Sequence, residues 1–147
     1  HPRTSGCLME LVAAALAGSV PTLGICLGFQ AIVEACGGAV SRVGPVHGRS
    51  VRVEVTAAGR ADAAFAALAG GPLDVARYHS LGTRELPQAL TCLARTIEAD
   101  GTGVVMAARH AVAPVVGLQF HPESVLTPYG PGILRSLTDD LAGARPA

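Results

Sequence analysis

The sequence predicts an α/β fold in a single domain, with a mixed, mostly parallel central sheet flanked by helices. Three observations carry that expectation. Helix-like and strand-like segments alternate along the chain, with no repeat, low-complexity segment or linker. The length of 147 residues is about that of one domain and allows a real core. Half of the residues (50%) are hydrophobic and only 15% are charged, which argues against a disordered chain.

Residues 5–18 read as the first helix, because Leu8, Leu11, Val12 and Leu16 recur near helical spacing among alanines, and Gly18 and Pro21 end it. Residues 21–27 form a short apolar run that fits a buried strand, and residues 28–35 a second helix stopped by Gly37 and Gly38. Residues 39–43 and 49–55 are strand-like around a turn at 44–48. In the second of these Val51, Val53 and Val55 share one face while Arg52 and Glu54 share the other. The alanine-rich stretch 61–69 reads as a short helix. Residues 74–79, 91–98, 104–109 and 115–120 are further strand candidates. Residues 131–141 are a closing helix with Ile133, Leu134 and Leu137 inward. Helices at the two ends with strands between them point to a mixed sheet.

Composition excludes several function classes. Eleven basic residues, all of them Arg, balance eleven acidic ones. With no basic excess to neutralise phosphates, no nucleic-acid partner is expected. No apolar run reaches the roughly 18–20 residues of a membrane span, so no membrane association is expected. Cys7, Cys26, Cys36 and Cys92 contain no C-x-x-C pair and are few for the length. A disulfide framework and a metal site are therefore not expected, and reduced thiols in a cytoplasmic protein are.

The first chemical signal is Gly24-Ile25-Cys26-Leu27-Gly28. A predicted strand ends, a nucleophile-capable residue follows, and a helix begins, which is the layout of the G-x-S-x-G elbow with Cys in place of Ser. Such a turn holds its central residue in strained backbone geometry, and the flanking glycines are expected to allow close approach of the neighbouring chain. The helix N-terminus is expected to lower the thiol pKa. Five residues alone fit a buried structural cysteine equally well. The second signal, Phe120-His121-Pro122-Glu123-Ser124 directly after a predicted strand, changes the balance. A thiol nucleophile needs a base, and the base needs an orienting group; His121 and Glu123, with Pro122 stiffening the spacing, supply both.

Gly24-Ile25-Cys26-Leu27-Gly28-Phe29-Gln30 together with Phe120-His121-Pro122-Glu123-Ser124 resembles the class I glutamine amidotransferase family, with the match to its Cys-His-Glu triad falling on Cys26, His121 and Glu123. Arg77-Tyr78-His79-Ser80-Leu81 is similar to the subgroup that serves chorismate enzymes. His47-Gly48-Arg49 resembles that subgroup's His-Gly-Lys segment, and Leu126-Thr127-Pro128-Tyr129-Gly130 continues the likeness. Phe29 departs from the subgroup's usual His and is expected to tune the site or to pack, without loss of chemistry. The family's first strands and its Gly-Pro-Gly oxyanion loop are not matched, so residues 1–147 are expected to be one amidotransferase domain lacking that N-terminal part, with flavodoxin-like layering.

The resemblance implies acyl transfer: Cys26 attacks the side-chain amide of glutamine, His121 oriented by Glu123 moves the proton, and backbone N–H groups, Leu27 among them, hold the oxyanion. It implies further that Leu27, Gln30, Ser80 and Leu81 bind glutamine and that no cofactor is required. Ammonia would pass to a chorismate-binding synthase subunit or fused domain, that of anthranilate synthase first. The alternatives are the glutaminase of aminodeoxychorismate synthase, a secondary-metabolite homologue, and an inactive domain that only binds a partner. A Cys-His hydrolase of γ-glutamyl peptides is disfavoured by Arg77–Leu81. Outside the triad, His79 is expected to be structural or at an interface, His1 and His110 at the surface, and Cys36 and Cys92 in the core.

Overall fold

The structure is a computed structural model that describes residues 1–44, 48–68, 71–97 and 103–144. A 3-10 turn at Pro2–Thr4 precedes helix α1 (Leu8–Ala17). Strand β1 (Thr22–Ile25) leads directly into α2 (Leu27–Ala35). Then follow β2 (Ser41–Arg42), β3 (Arg49–Val55), α3 (Ala57–Ala61), β4 (Leu73–Arg77), β5 (Leu81–Gly82), β6 (Leu90–Thr96), β7 (Val105–His110), β8 (Val115–Leu118) and α4 (Gly130–Gly143).

Six strands form one sheet in the order β1-β8-β7-β6-β3-β4, and β2 pairs with β5 in a separate ribbon. The sheet is mixed, as expected, but the balance differs. Among the described residues only the β1–β8 pairing is parallel, and the other pairings of the sheet are antiparallel. Between β7 and β8 the reason is connection length: four residues join them, too few for the crossover that parallel neighbours need.

Strand side chains divide between two cores, in strict alternation at Val115 and Val116 of β8 and with a register irregularity in the β6–β7 pairing. Val105, Ala108 and Val115 face α1 and α2, where Val12, Phe29, Ile32 and Val33 pack. Met106, Val116 and Leu118 face the other layer, with Phe65 and with Ile133, Leu137 and Leu141 of α4. Phe29 is fully buried. A Cβ added at Gly117 on β8 would come within 2.6 Å of its ring, so glycine lets the helix lie flat on the strand. Of the two roles expected for Phe29, tuning and packing, the structure shows packing. β1 is an edge of the sheet, and an apolar cleft lined by Leu11, Val20, Leu23 and Ile32 runs beside it.

The helix expected over residues 61–69 is displaced. Thr56 caps α3 by accepting the Gly59 N–H, and the helix stops at Ala61. Asp62 then accepts the Ala64 N–H at 2.9 Å and pairs with Arg109, which also reaches Asp140 of α4. Side-chain competition for backbone N–H groups breaks the helix at Asp62, and residues up to 68 run as turns. Residues 69 and 98 of the expected elements, and His47, lie outside the described residues. β5 was not anticipated, because two residues carry no periodic signal.

Candidate active site

Cys26 occupies the single residue between β1 and α2 and has φ 51° and ψ −97°. This is strained backbone for a non-glycine residue, as the elbow reading expects. Its N–H donates to the Leu118 carbonyl at 2.8 Å, extending the β1–β8 ladder, and its C=O accepts the Gln30 N–H at 3.1 Å as the first turn of α2. The two flanking glycines differ. A Cβ at Gly24 would lie 2.7 Å and 2.8 Å from the Gly28 backbone, so glycine is required there for strand and helix to meet. A Cβ at Gly28 would touch nothing within 4 Å, so the expected close approach is made at one of the two positions only.

His121 and Glu123 lie on the segment after β8, at the same end of the sheet as Cys26 because β1 and β8 are parallel. His121 Nδ1 hydrogen-bonds Glu123 Oε1 at 2.7 Å. Tyr78 meets the imidazole edge-on, with ring centroids 5.1 Å apart and planes at 89°, and its hydroxyl is 3.0 Å from Ser124 Oγ. The backbone of this segment is clasped by β4. His121 N–H donates to the Ala76 carbonyl (3.2 Å), Ala76 N–H to Thr127 Oγ1 (2.9 Å), and the Thr127 hydroxyl to the His121 carbonyl (2.8 Å).

The electrostatics depart from the expected depressed thiol. Burial pushes the Cys26 thiol above its ordinary value; a hydrogen bond from Leu27 N–H pulls it down, and the nearby Glu123 carboxylate raises it again. The helix start therefore acts in the expected direction and is outweighed. Partial burial raises the Glu123 carboxyl, but its hydrogen bond from His121 and the His121 charge bring it below its ordinary value overall.

Of the substrate residues expected from sequence, Gln30 and Leu81 come together. Gln30 Nε2 donates to the Leu81 carbonyl at 3.0 Å and to Gln119 Oε1 at 3.2 Å. Ser80 is exposed, and its carbonyl accepts the Val43 N–H. Leu27 follows Cys26, with its N–H on the sulfur. His79 is buried beside Leu81, with Nδ1 2.6 Å from the Leu81 carbonyl. Burial, Arg77 and His121 hold its imidazole down to about 4. His110 accepts the Val112 and Ala113 N–H groups at a turn. Cys36 and Cys92 are half-buried and Cys7 is exposed. Among the described residues no group of three His, Cys, Asp or Glu side chains gathers to hold a metal, and no helix is long and apolar enough to cross a membrane.

Sequence reasoning missed Gln119, Thr127 and Tyr78 as parts of this site. The available signal was Gln119 itself, a polar residue between Leu118 and Phe120 in an otherwise apolar run. Gln119 is fully buried, and its Nε2 lies 3.8 Å from Cys26 Sγ.

A family model described as glutamine amidotransferase class-I matches residues 1–140. An anthranilate synthase component 2 of Corynebacterium glutamicum is 41% identical over 96% of this chain and 72% of its own length. A pyocyanine-specific anthranilate synthase component 2 of Pseudomonas aeruginosa is 42% identical over 92% of this chain, which spans 63% of that relative's length. A glutamine amidotransferase crystal structure from Thermotoga maritima superposes with a TM-score of 0.72 at 22% identity, covering 90% of this chain and 67% of that one, and shares its fold.

Proposed function

The chain belongs to the class-I glutamine amidotransferase family, and from that premise we propose that residues 1–147 are part of the glutamine-hydrolysing domain of an anthranilate synthase. The observation that carries the chemistry is the strained Cys26 at the β1–α2 junction, at the same end of the sheet as the paired His121 and Glu123. The identity with two anthranilate synthase components supports the choice of pathway.

In this reading the Cys26 thiolate attacks the side-chain amide carbon of glutamine. The carbonyl π electrons move to oxygen, where backbone N–H groups including that of Leu27 hold the negative charge. His121, oriented by Glu123, protonates the amide nitrogen; the C–N bond breaks and ammonia leaves, giving a γ-glutamyl thioester. Water, deprotonated by His121, then adds to the thioester carbon, the C–S bond breaks, and glutamate and the thiolate are released. Gln30, Ser80 and Leu81 bind glutamine. No metal or organic cofactor enters these steps. Ammonia is consumed by a chorismate-binding synthase, separate or fused, and the reaction takes place in the cytoplasm.

The test is covalent trapping with an electrophilic glutamine analogue followed by peptide mapping. The expected result is one adduct, on Cys26, blocked by excess glutamine, and no glutamate release by the Cys26→Ala variant. Labelling at Cys7, Cys36 or Cys92 with Cys26 untouched, or undiminished glutamate release by Cys26→Ala, overturns the reading.

A further inference from the structure

We infer that Gln119 is a positioning residue for the nucleophile: its buried amide is locked so that an N–H points at Cys26 Sγ and favours the thiolate. The inference deepens the reading of Cys26 as nucleophile and rests on it.

One end of an amide donates and the other accepts, so its polarity follows from its partners. Here one partner cannot be turned. The Leu81 backbone carbonyl only accepts, so the end of Gln30 that lies 3.0 Å from it is Nε2, a donor. The same nitrogen is 3.2 Å from Gln119, so the end of Gln119 facing it is Oε1, an acceptor. The other end of Gln119, 3.8 Å from Sγ, is then necessarily the NH₂. A backbone carbonyl thus sets the direction of two amides in series and aims a donor at the sulfur. His79 Nδ1 hydrogen-bonds the same carbonyl at 2.6 Å and so helps to fix its place.

The position leaves Gln119 little freedom. Its backbone N–H is tied to the Met106 carbonyl at 2.8 Å, and the residue before it, Leu118, accepts the Cys26 N–H. Both Gln30 and Gln119 are shielded from water, where hydrogen bonds are stronger and an unpaired amide is costly. An N–H donor interacts more strongly with a thiolate than with a thiol, since the charged acceptor is the better one. The groups acting on the sulfur are therefore the Gln119 amide from the end of β8, the Leu27 N–H of α2, and the Glu123 carboxylate with its partner His121. The first two favour the anion and Glu123 opposes it. Thioester formation discharges the sulfur, so the Gln119 contact is strongest in the free enzyme and weakens once the acyl group is attached.

The test is the pH dependence of alkylation at Cys26, read by peptide mapping with exposed Cys7 as internal reference. The full chain is compared with Gln119→Leu, which removes the donor and still leaves Gln30 Nε2 its bond to Leu81. The expected result is an upward move of the Cys26 midpoint by about one pH unit, a tenfold loss of thiolate at a given pH, with Cys7 unchanged. Gln30→Met, which frees the Gln119 amide to turn, is expected to move the midpoint in the same direction by less. It decides the matter if Gln119→Leu fails to fold by circular dichroism. An unmoved midpoint in a folded Gln119→Leu chain, or in Gln30→Met where the first variant is unfolded, overturns the inference. Loss of glutamine protection in the unsubstituted chain, by contrast, overturns the proposed function and leaves the titration comparison readable.

Discussion

The segments carrying the proposed nucleophile and the proposed base leave neighbouring parallel strands at the same end of the sheet, yet they are held in different ways. Around Cys26 the support comes mainly from backbone. A glycine lets β1 and α2 meet, the Cys26 N–H continues the ladder to Leu118, and the first turn of α2 starts from its carbonyl. Around His121 there is no regular element; one backbone bond, from its N–H to the Ala76 carbonyl, is joined by side chains, the Thr127 hydroxyl and Glu123 carboxylate of the same segment and the Tyr78 ring from the residue after β4. A nucleophile that must sit in one strained conformation is fixed by steric exclusion. A base that must turn and exchange protons is fixed by hydrogen bonds that can lengthen and re-form.

Three perturbations separate these two kinds of support. The largest effect is expected from Gly24→Ala, since the added Cβ meets the Gly28 backbone and the Ile32 side chain. Urea unfolding should show a loss of about 3 kcal/mol, at the upper end of overpacking costs, together with loss of Cys26 labelling. Gly28→Ala is the control, with open space around its Cβ and a gain of about 0.5 kcal/mol expected from helix propensity. Equal losses at the two positions would show that the elbow is not set by close packing.

Thr127→Val comes next. It keeps the shape and removes the hydroxyl that bridges Ala76 N–H and the His121 carbonyl. A loss of about 2 kcal/mol is expected from the buried groups left unpaired, with slower glutamine hydrolysis and an unaltered rate of Cys26 alkylation. If alkylation slows in parallel, the two segments are not supported independently.

The smallest effect at neutral pH is expected from His79→Asn, which can still donate to Leu81. His79 is held down to about 4 from an ordinary 6.5, so its neutral form belongs to the folded state. The unfolded chain binds the proton more readily, and the resulting stability is complete above about 6.5 and drains away as the pH falls toward about 4. Melting temperatures measured across that window should fall less steeply in the variant. Parallel curves would mean that His79 takes up its proton without cost, and that the Leu81 anchor is softer than its burial implies.

Much of this was legible beforehand, and the limits have physical causes. Residues 49–55 announced β3 because alternating Val and charged residues mark one buried face and one exposed face. The 61–69 helix failed because alanine content says nothing of Asp62, whose carboxylate is claimed by Ala64 and Arg109. The thiol pKa was expected too low because the helix terminus is visible in sequence and the burial that outweighs it is not.

The sequence by itself determined the elbow, the residue types of Cys26, His121 and Glu123, and the alternating faces that build the two cores. Each depends on interactions within a few residues, where sterics and periodicity act directly. Only the tertiary structure decided that the sheet curls until β4, last in the strand order, clasps the segment after β8, joining Ala76 to Thr127 across 51 positions. It alone aligned Gln30 with Leu81, another 51 positions apart, and so turned the Gln119 amide toward the sulfur. Hydrogen bonds at that separation follow from how layers pack and how far a sheet twists, and those are set by the sum of all its contacts, which no local stretch of sequence contains.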